Sequence, residues 1–143
     1  MLANPIRLGI LGAGTFSRDA HVPALIQLGN YFRVIAICDK DFSAAHALSN
    51  EFSDSRVYSN IEDFFNHPEI EAVDIVLPPH IMPKVIQQAL AHNLHIMSEK
   101  PIALTVAVGK ELIDFHQQYP NLVWEVAENW RHEDAIEKAA QMI

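Results

Sequence analysis

Cysteine is almost absent. Cys38 stands alone in 143 residues, so no internal disulfide can form, and the eight histidines make no Cys/His framework of zinc spacing. A reducing cytoplasm is the expected setting. Basic residues are also scarce: 10 Lys and Arg face 18 Asp and Glu, a formal net charge of -8. Such a balance argues against nucleic acid or anionic membrane as a partner, because both need a basic surface. No apolar run approaches the roughly 20 residues of a membrane span. No basic start precedes an apolar segment, so no secretory leader is expected. Repeats, low-complexity tracts and linkers are missing too. What remains is one ordinary globular domain over residues 1–143, half hydrophobic and long enough for a full-sized core.

Glycine is sparse as well, five residues in all, yet Gly12 and Gly14 lie one residue apart in IRLGILGAGTFS, where an apolar run ends. Glycine weakens a backbone unless a turn or a close approach requires it. Either a tight bend or a large group lying against the main chain would account for the pair.

The rest of the chain alternates apolar runs with helical patterns. Strands are expected at 6–11, 33–38, 56–58, 72–77, 95–98 and 122–127. Helices are expected at 17–28, 43–52, 60–66 behind an Asn60 cap, 83–91 opened by Pro83, 105–118, and from about 133 onward. Asn93 is a stop signal. Strands apolar on both faces and separated by helices imply a parallel sheet covered on both sides. Right-handed crossovers then give a doubly wound α/β fold, whose ligand crevice lies at the carboxyl ends of its strands.

Gly12-Ala13-Gly14-Thr15-Phe16-Ser17 follows the first strand and opens the first helix. In a dinucleotide-binding fold the first glycine makes this turn, and the second lets the backbone approach a pyrophosphate at the helix N-terminus. The third position is kept small for packing, and Ser17 fills it here. Asp39 ends the second strand, where a carboxylate can accept both ribose hydroxyls of an adenosine; opening the next helix is its plainer role. Asp39 opposes a 2′-phosphate and so favours NAD, while Lys40 beside it would attract that phosphate and favour NADP. Glu128 and Asn129 follow the sixth strand and reach the crevice mouth by position, with Arg131 and His132 next in line. Helix capping by Asn129 and a core role for Trp130 weigh equally.

The other candidates read more plainly. His92 and His95 straddle a helix end and a strand start, so no metal site is expected. His21 reads as a capping or packing residue. His46, His67 and His116 read as solvated faces or turns. Cys38, Phe64, Phe65 and Trp124 read as packed.

The stretches GILGAGTFSRDAHVPAL, VIAICDKD, DIVLPPH, NLHIMSEKPIALT and VAENWR together resemble the glucose–fructose oxidoreductase / inositol dehydrogenase / MocA (Gfo/Idh/MocA) family of NAD(P)-dependent oxidoreductases. The resemblance runs the length of the chain. It implies a Rossmann domain that binds a nicotinamide dinucleotide, followed in the family by a larger substrate domain. It implies that Lys100 of Glu99-Lys100-Pro101 gives or takes the substrate's proton. Desolvation and a nearby cationic ring would favour its neutral amine. It also places Glu99 at the cofactor pocket and allows a cis peptide before Pro101. The Leu77-Pro78-Pro79-His80 loop stands where the family has a Thr-Pro-Asn-like segment beside the nicotinamide ribose, although Pro83 replaces a histidine often found three residues after His80.

By that resemblance, residues 133–143 are the helix leading into a substrate domain absent from this chain. The chain is then a piece of a longer protein or a short natural form. Its uncovered surface makes self-association an expectation. The leading expectation is the cofactor half of an enzyme acting on a sugar, polyol or related carbonyl compound. The runner-up is a non-catalytic nucleotide-binding module or redox-sensing partner subunit. A purely structural domain would answer Gly14→Val with a change in folding stability alone.

Overall fold

The computed structural model describes residues 4–142. Six parallel strands form one sheet: β1 (Ile6–Leu11), β2 (Phe32–Cys38), β3 (Arg56–Tyr58), β4 (Ala72–Ile75), β5 (His95–Ser98) and β6 (Trp124–Val126). Their order across the sheet is β3-β2-β1-β4-β5-β6. The reversal of direction between β1 and β4 creates the topological switch point where doubly wound sheets bind their ligands.

The central apolar runs became strands because both of their faces are buried. Ile10, Ile37, Val73 and Ile75 have no solvent exposure. On one face, α1 (Val22–Gln27) and α2 (Phe42–Ser49) pack through Val22, Ala45 and Leu48 onto Leu8, Ile10 and Val34. On the other face α3 (Ile61–Phe65), α4 (Met82–Ala91) and α5 (Val106–His116) supply Phe64, Phe65, Ile86, Leu90 and Leu112 to the larger core. A last helix, α6 (Asp134–Ala140), follows β6. Residue 143, the last of the expected terminal helix, lies outside the described residues.

Three helix starts are set by side-chain caps. Asp41 accepts the amides of Ser43 and Ala44, Asn60 those of Glu62 and Asp63, and Thr105 that of Val108. Asn93 adopts φ 58° just after α4, the left-handed conformation that asparagine tolerates and that ends a helix.

Several expectations needed correction. The first helix is not uniform: its turn Ser17–His21 is π-helical, with the Val22 amide donating to the Ser17 carbonyl. Pro23 has no N–H to continue an α ladder there, which favours the wider turn. His67 is buried rather than solvated, and its Nδ1 accepts the Glu69 amide. His116 is half-buried, with Nε2 against the Leu122 carbonyl and its ring edge-on to Trp124. Trp130 is 65% exposed and anchors no core.

Candidate cofactor-binding site

The two glycines of the first turn have different surroundings. Gly12 has φ +101°, and a Cβ built on it would stand 2.2 Å from the Val76 carbonyl oxygen. Its own chain therefore demands glycine, for conformation and for room. A Cβ on Gly14 would meet nothing within 4 Å. No neighbouring protein atom excludes a side chain there; the space over that main chain is free for something else.

Ser17 holds the turn shut. It is fully buried, and its Oγ donates to the Gly12 carbonyl oxygen at 2.6 Å. The departure from glycine or alanine at this position is therefore a small residue that also ties the loop. The first-turn amides of a helix have no acceptor within it, and here that end opens on a cleft. The cleft, of about 360 Å³, is lined by Gly14, Thr15, Phe16, Ser17, Val76, Leu77, Pro78, Glu99 and Lys100. An anion at such a place meets both free N–H groups and the positive end of the backbone dipoles.

The loops around the cleft are stitched to the sheet. Gly12 N–H donates to Cys38 O, Val76 N–H to Leu11 O, Glu99 N–H to Ile75 O and Ala127 N–H to Ser98 O, all between 2.8 and 3.0 Å. Each bond extends the ladder just past a strand's end, so rigid backbone positions the groups. Trp124 adds a side-chain tie, donating its indole N–H to the buried Ser98 Oγ at 2.9 Å.

Asp39 sits at the end of β2, and its carboxylate is already oriented. Oδ2 accepts the Ala13 amide at 2.7 Å and Oδ1 accepts the Asp41 amide at 2.8 Å. Asp41, not Asp39, caps the following helix. Each carboxylate oxygen retains further acceptor capacity, so a ribose diol can still be bound. Lys40 is exposed beside it.

Next to the cleft, joined to it through Glu99, the pattern AVDIVL hides an acid inside a strand. Asp74 is 4% exposed on β4, in register with Ile10 and Met97. His21, from the π-helical turn, directs Nδ1 to Asp74 Oδ2 at 2.7 Å and Nε2 to Glu99 Oε1 at 3.2 Å. Burial works against charge on this imidazole, but the hydrogen bonds and charges of Asp74 and Glu99 outweigh it and hold its pKa above the ordinary histidine value. The edge of Phe16 meets the same ring at a centroid distance of 5.4 Å. His21 and Asp74 were not anticipated as a site. A charge inside an otherwise apolar strand was the available signal for Asp74; nothing local in the sequence pairs it with His21.

Lys100 is exposed at the cleft rim, and its peptide bond to Pro101 is cis. The cleft brings together Gly14, Thr15, Phe16, Ser17, Leu77, Pro78, Glu99 and Lys100 of the residues singled out in the sequence. Gly12, Asp39, Lys40, Pro79, His80, Glu128 and Asn129 do not line it. Asn129 opens a 3₁₀ turn (Asn129–His132) without capping it, and Glu128, Arg131 and His132 are exposed there. Another hollow, of about 300 Å³, lies between Leu25, Ile26, Phe32 and Phe52. Its Arg33 is paired with Asp54 at 3.0 Å, and it lies away from the strands' carboxyl ends.

A nicotinamide dinucleotide fits these residues: an uncovered main chain at Gly14 for a diphosphate, an oriented carboxylate for a ribose, and a cleft running to Glu99 and Lys100. Among the described residues no helix is long and apolar enough to cross a membrane.

Comparison with known proteins agrees with this reading of the fold. The Gfo/Idh/MocA model, an oxidoreductase family with an NAD-binding Rossmann fold, matches residues 6–127. The uncharacterized protein YMR315W of Saccharomyces cerevisiae is 30% identical over 142 residues, which is 98% of this chain and 40% of that protein. A solved oxidoreductase from Thermotoga maritima superposes with a TM-score of 0.92 at 31% identity, covering 96% of this chain and 42% of that one. The scyllo-inositol dehydrogenase of Lactobacillus casei, solved with NAD(H) and scyllo-inositol bound, superposes with a TM-score of 0.87 at 25% identity, covering 96% and 40%. The chain thus spans about two fifths of the length of these relatives.

Proposed function

This chain belongs to the Gfo/Idh/MocA oxidoreductase family, and from that premise we propose that it is the cofactor-binding part of an NAD(P)-dependent oxidoreductase acting on a sugar, polyol or related hydroxy or carbonyl compound. The single observation that carries the proposal is the open space over Gly14, beside a glycine turn that the chain itself needs only at Gly12. The cofactor, when bound, supplies the hydride acceptor or donor.

The chain's own residues do the rest. Gly14, Thr15 and Phe16 receive the diphosphate at the helix start. Ser17 keeps the turn closed beneath it. Asp39 accepts the adenosine ribose hydroxyls, and its charge disfavours a 2′-phosphate, which supports NAD over NADP. Leu77 and Pro78 wall the nicotinamide end, with Glu99 facing them. In oxidation of an alcohol, the carbon loses hydride and its hydroxyl proton passes to the Lys100 amine. In the reverse direction the ammonium returns that proton to the carbonyl oxygen. Proton transfer by a positioned group is typically worth about a hundred- to ten-thousand-fold in rate.

Calorimetric titration with NAD+, NADH, NADP+ and NADPH tests the proposal. Saturable binding of at least one pair, with NAD+ and NADH preferred, is the expected result. Failure of all four to bind overturns it. A hydride-transfer screen on polyols and aldehydes then separates an enzyme from a binding module, and Lys100→Ala is expected to abolish turnover while leaving cofactor affinity within about threefold.

A further inference from the structure

Behind the cleft, joined to it through Glu99, lie two polar groups that the proposed chemistry does not use, His21 and Asp74. Asp74 is buried on β4, and its Oδ1 has no hydrogen-bond partner. Its Oδ2 meets His21, whose other ring nitrogen meets Glu99 Oε1; the side chains of His21, Asp74 and Glu99 are only 13%, 5% and 12% exposed. Glu99 Oε2 in turn accepts the main-chain amide of Lys100 at 3.1 Å. We propose that His21 is a positioning residue of the cleft: its doubly protonated ring, anchored on Asp74, clamps the Glu99 carboxylate, and Glu99 thereby holds the Lys100 main chain.

With Asp74 and Glu99 both ionised, donor counting requires the doubly protonated ring, because both atoms facing it then only accept. A neutral imidazole has one N–H and would turn a lone pair against one of the two oxygens. The bond to Glu99 is the longer, 3.2 Å against 2.7 Å, so loss of the proton releases Glu99 first. Asp74, inside the sheet with one oxygen already unpartnered, cannot give up its bond without stranding a buried charge. The charged groups facing the ring are therefore Asp74 from β4 and Glu99 from the end of β5, with Phe16 packed edge-on against it. The same Phe16 lines the cleft, so the clamp touches the cofactor site from two sides. The significance of the clamp for cofactor binding rests on the function proposed above; the clamp itself does not.

The test is an NMR titration of the 143-residue chain between pH 5 and pH 10, following the His21 ring nitrogens and the Glu99 and Lys100 amides. Expected are two protonated ring nitrogens at pH 7, a His21 midpoint above the ordinary histidine value, and a Lys100 amide that moves with the same midpoint. Asp74→Asn keeps the shape and removes the anchoring charge. It should lower the His21 midpoint and carry the Lys100 amide's midpoint down with it. NAD+ titrated in parallel should bind at least about fivefold more weakly above the His21 midpoint than below it, and Asp74→Asn should move that profile by the same pH interval. His21→Gln should flatten the profile. A singly protonated His21 at pH 7, or a Lys100 amide indifferent to it, overturns the clamp. An affinity profile that ignores the His21 midpoint overturns its part in binding. An intact clamp with no binding of any nicotinamide nucleotide overturns the proposed function instead.

Discussion

Gly12 and Gly14 share one turn and answer to different demands. At Gly12 the protein fills the space: positive φ and the Val76 carbonyl oxygen leave no room for a side chain. At Gly14 the protein leaves the space empty, with nothing within 4 Å of a Cβ. The first glycine is explained by the fold; packing gives no reason for the second, and the proposed function supplies one. Packing alone accounts for most of this molecule, so a residue that packing does not explain is where function shows through.

Mutation should pull these two positions apart. Gly12→Ala forces a Cβ against backbone and imposes a conformation L-residues avoid. It should cost about 3 kcal/mol or more and leave little folded protein, as read by thermal melting. Gly14→Val should leave the melting transition nearly unchanged and weaken cofactor binding by at least about a hundredfold, or about 2.8 kcal/mol. If Gly14→Val destabilised the fold as much as Gly12→Ala, the distinction would collapse.

Asp39 joins the two demands, since it orients the glycine loop and, under the proposed function, receives a ribose. Asp39→Ala strands the Ala13 amide and should cost about 1–3 kcal/mol of stability by denaturant titration. It should also narrow the gap between NAD+ and NADP+ affinity. A smaller effect comes from His21. Its folded-state pKa is raised, so its contribution to stability is complete below the ordinary histidine value and fades as pH climbs through the raised one. Denaturation midpoints should therefore fall on the alkaline side, and Asp74→Asn should reduce that slope. Least affected is Cys38, whose thiol is pushed up to about 11 chiefly by burial, with help from Asp39 and Asp63. It should ignore thiol reagents at neutral pH until the chain unfolds.

The sheet and its alternating helices were legible because they rest on local patterns: β-branched runs at β1, β2 and β4, and caps at Asn60 and Thr105. The glycine turn and Asp39 were singled out for the same reason, each lying just past a strand, whereas Glu99-Lys100 was singled out by the family resemblance. The clamp was not, because His21, Asp74 and Glu99 come from separate parts of the chain and meet only once β1, β4 and β5 are adjacent. The π-helical turn that presents His21 was hidden too: an amphipathic helix pattern does not reveal a change of pitch. Trp130 misled because aromatic character alone says nothing about which surface covers it.

The most direct test of the account is a crystal structure of this chain with NAD+. The account predicts the diphosphate lying on the bare main chain at Gly14, against the amides of Thr15 and Phe16, with the adenosine ribose on Asp39. A dinucleotide bound elsewhere, or that corner closed by the protein's own side chains, would contradict it.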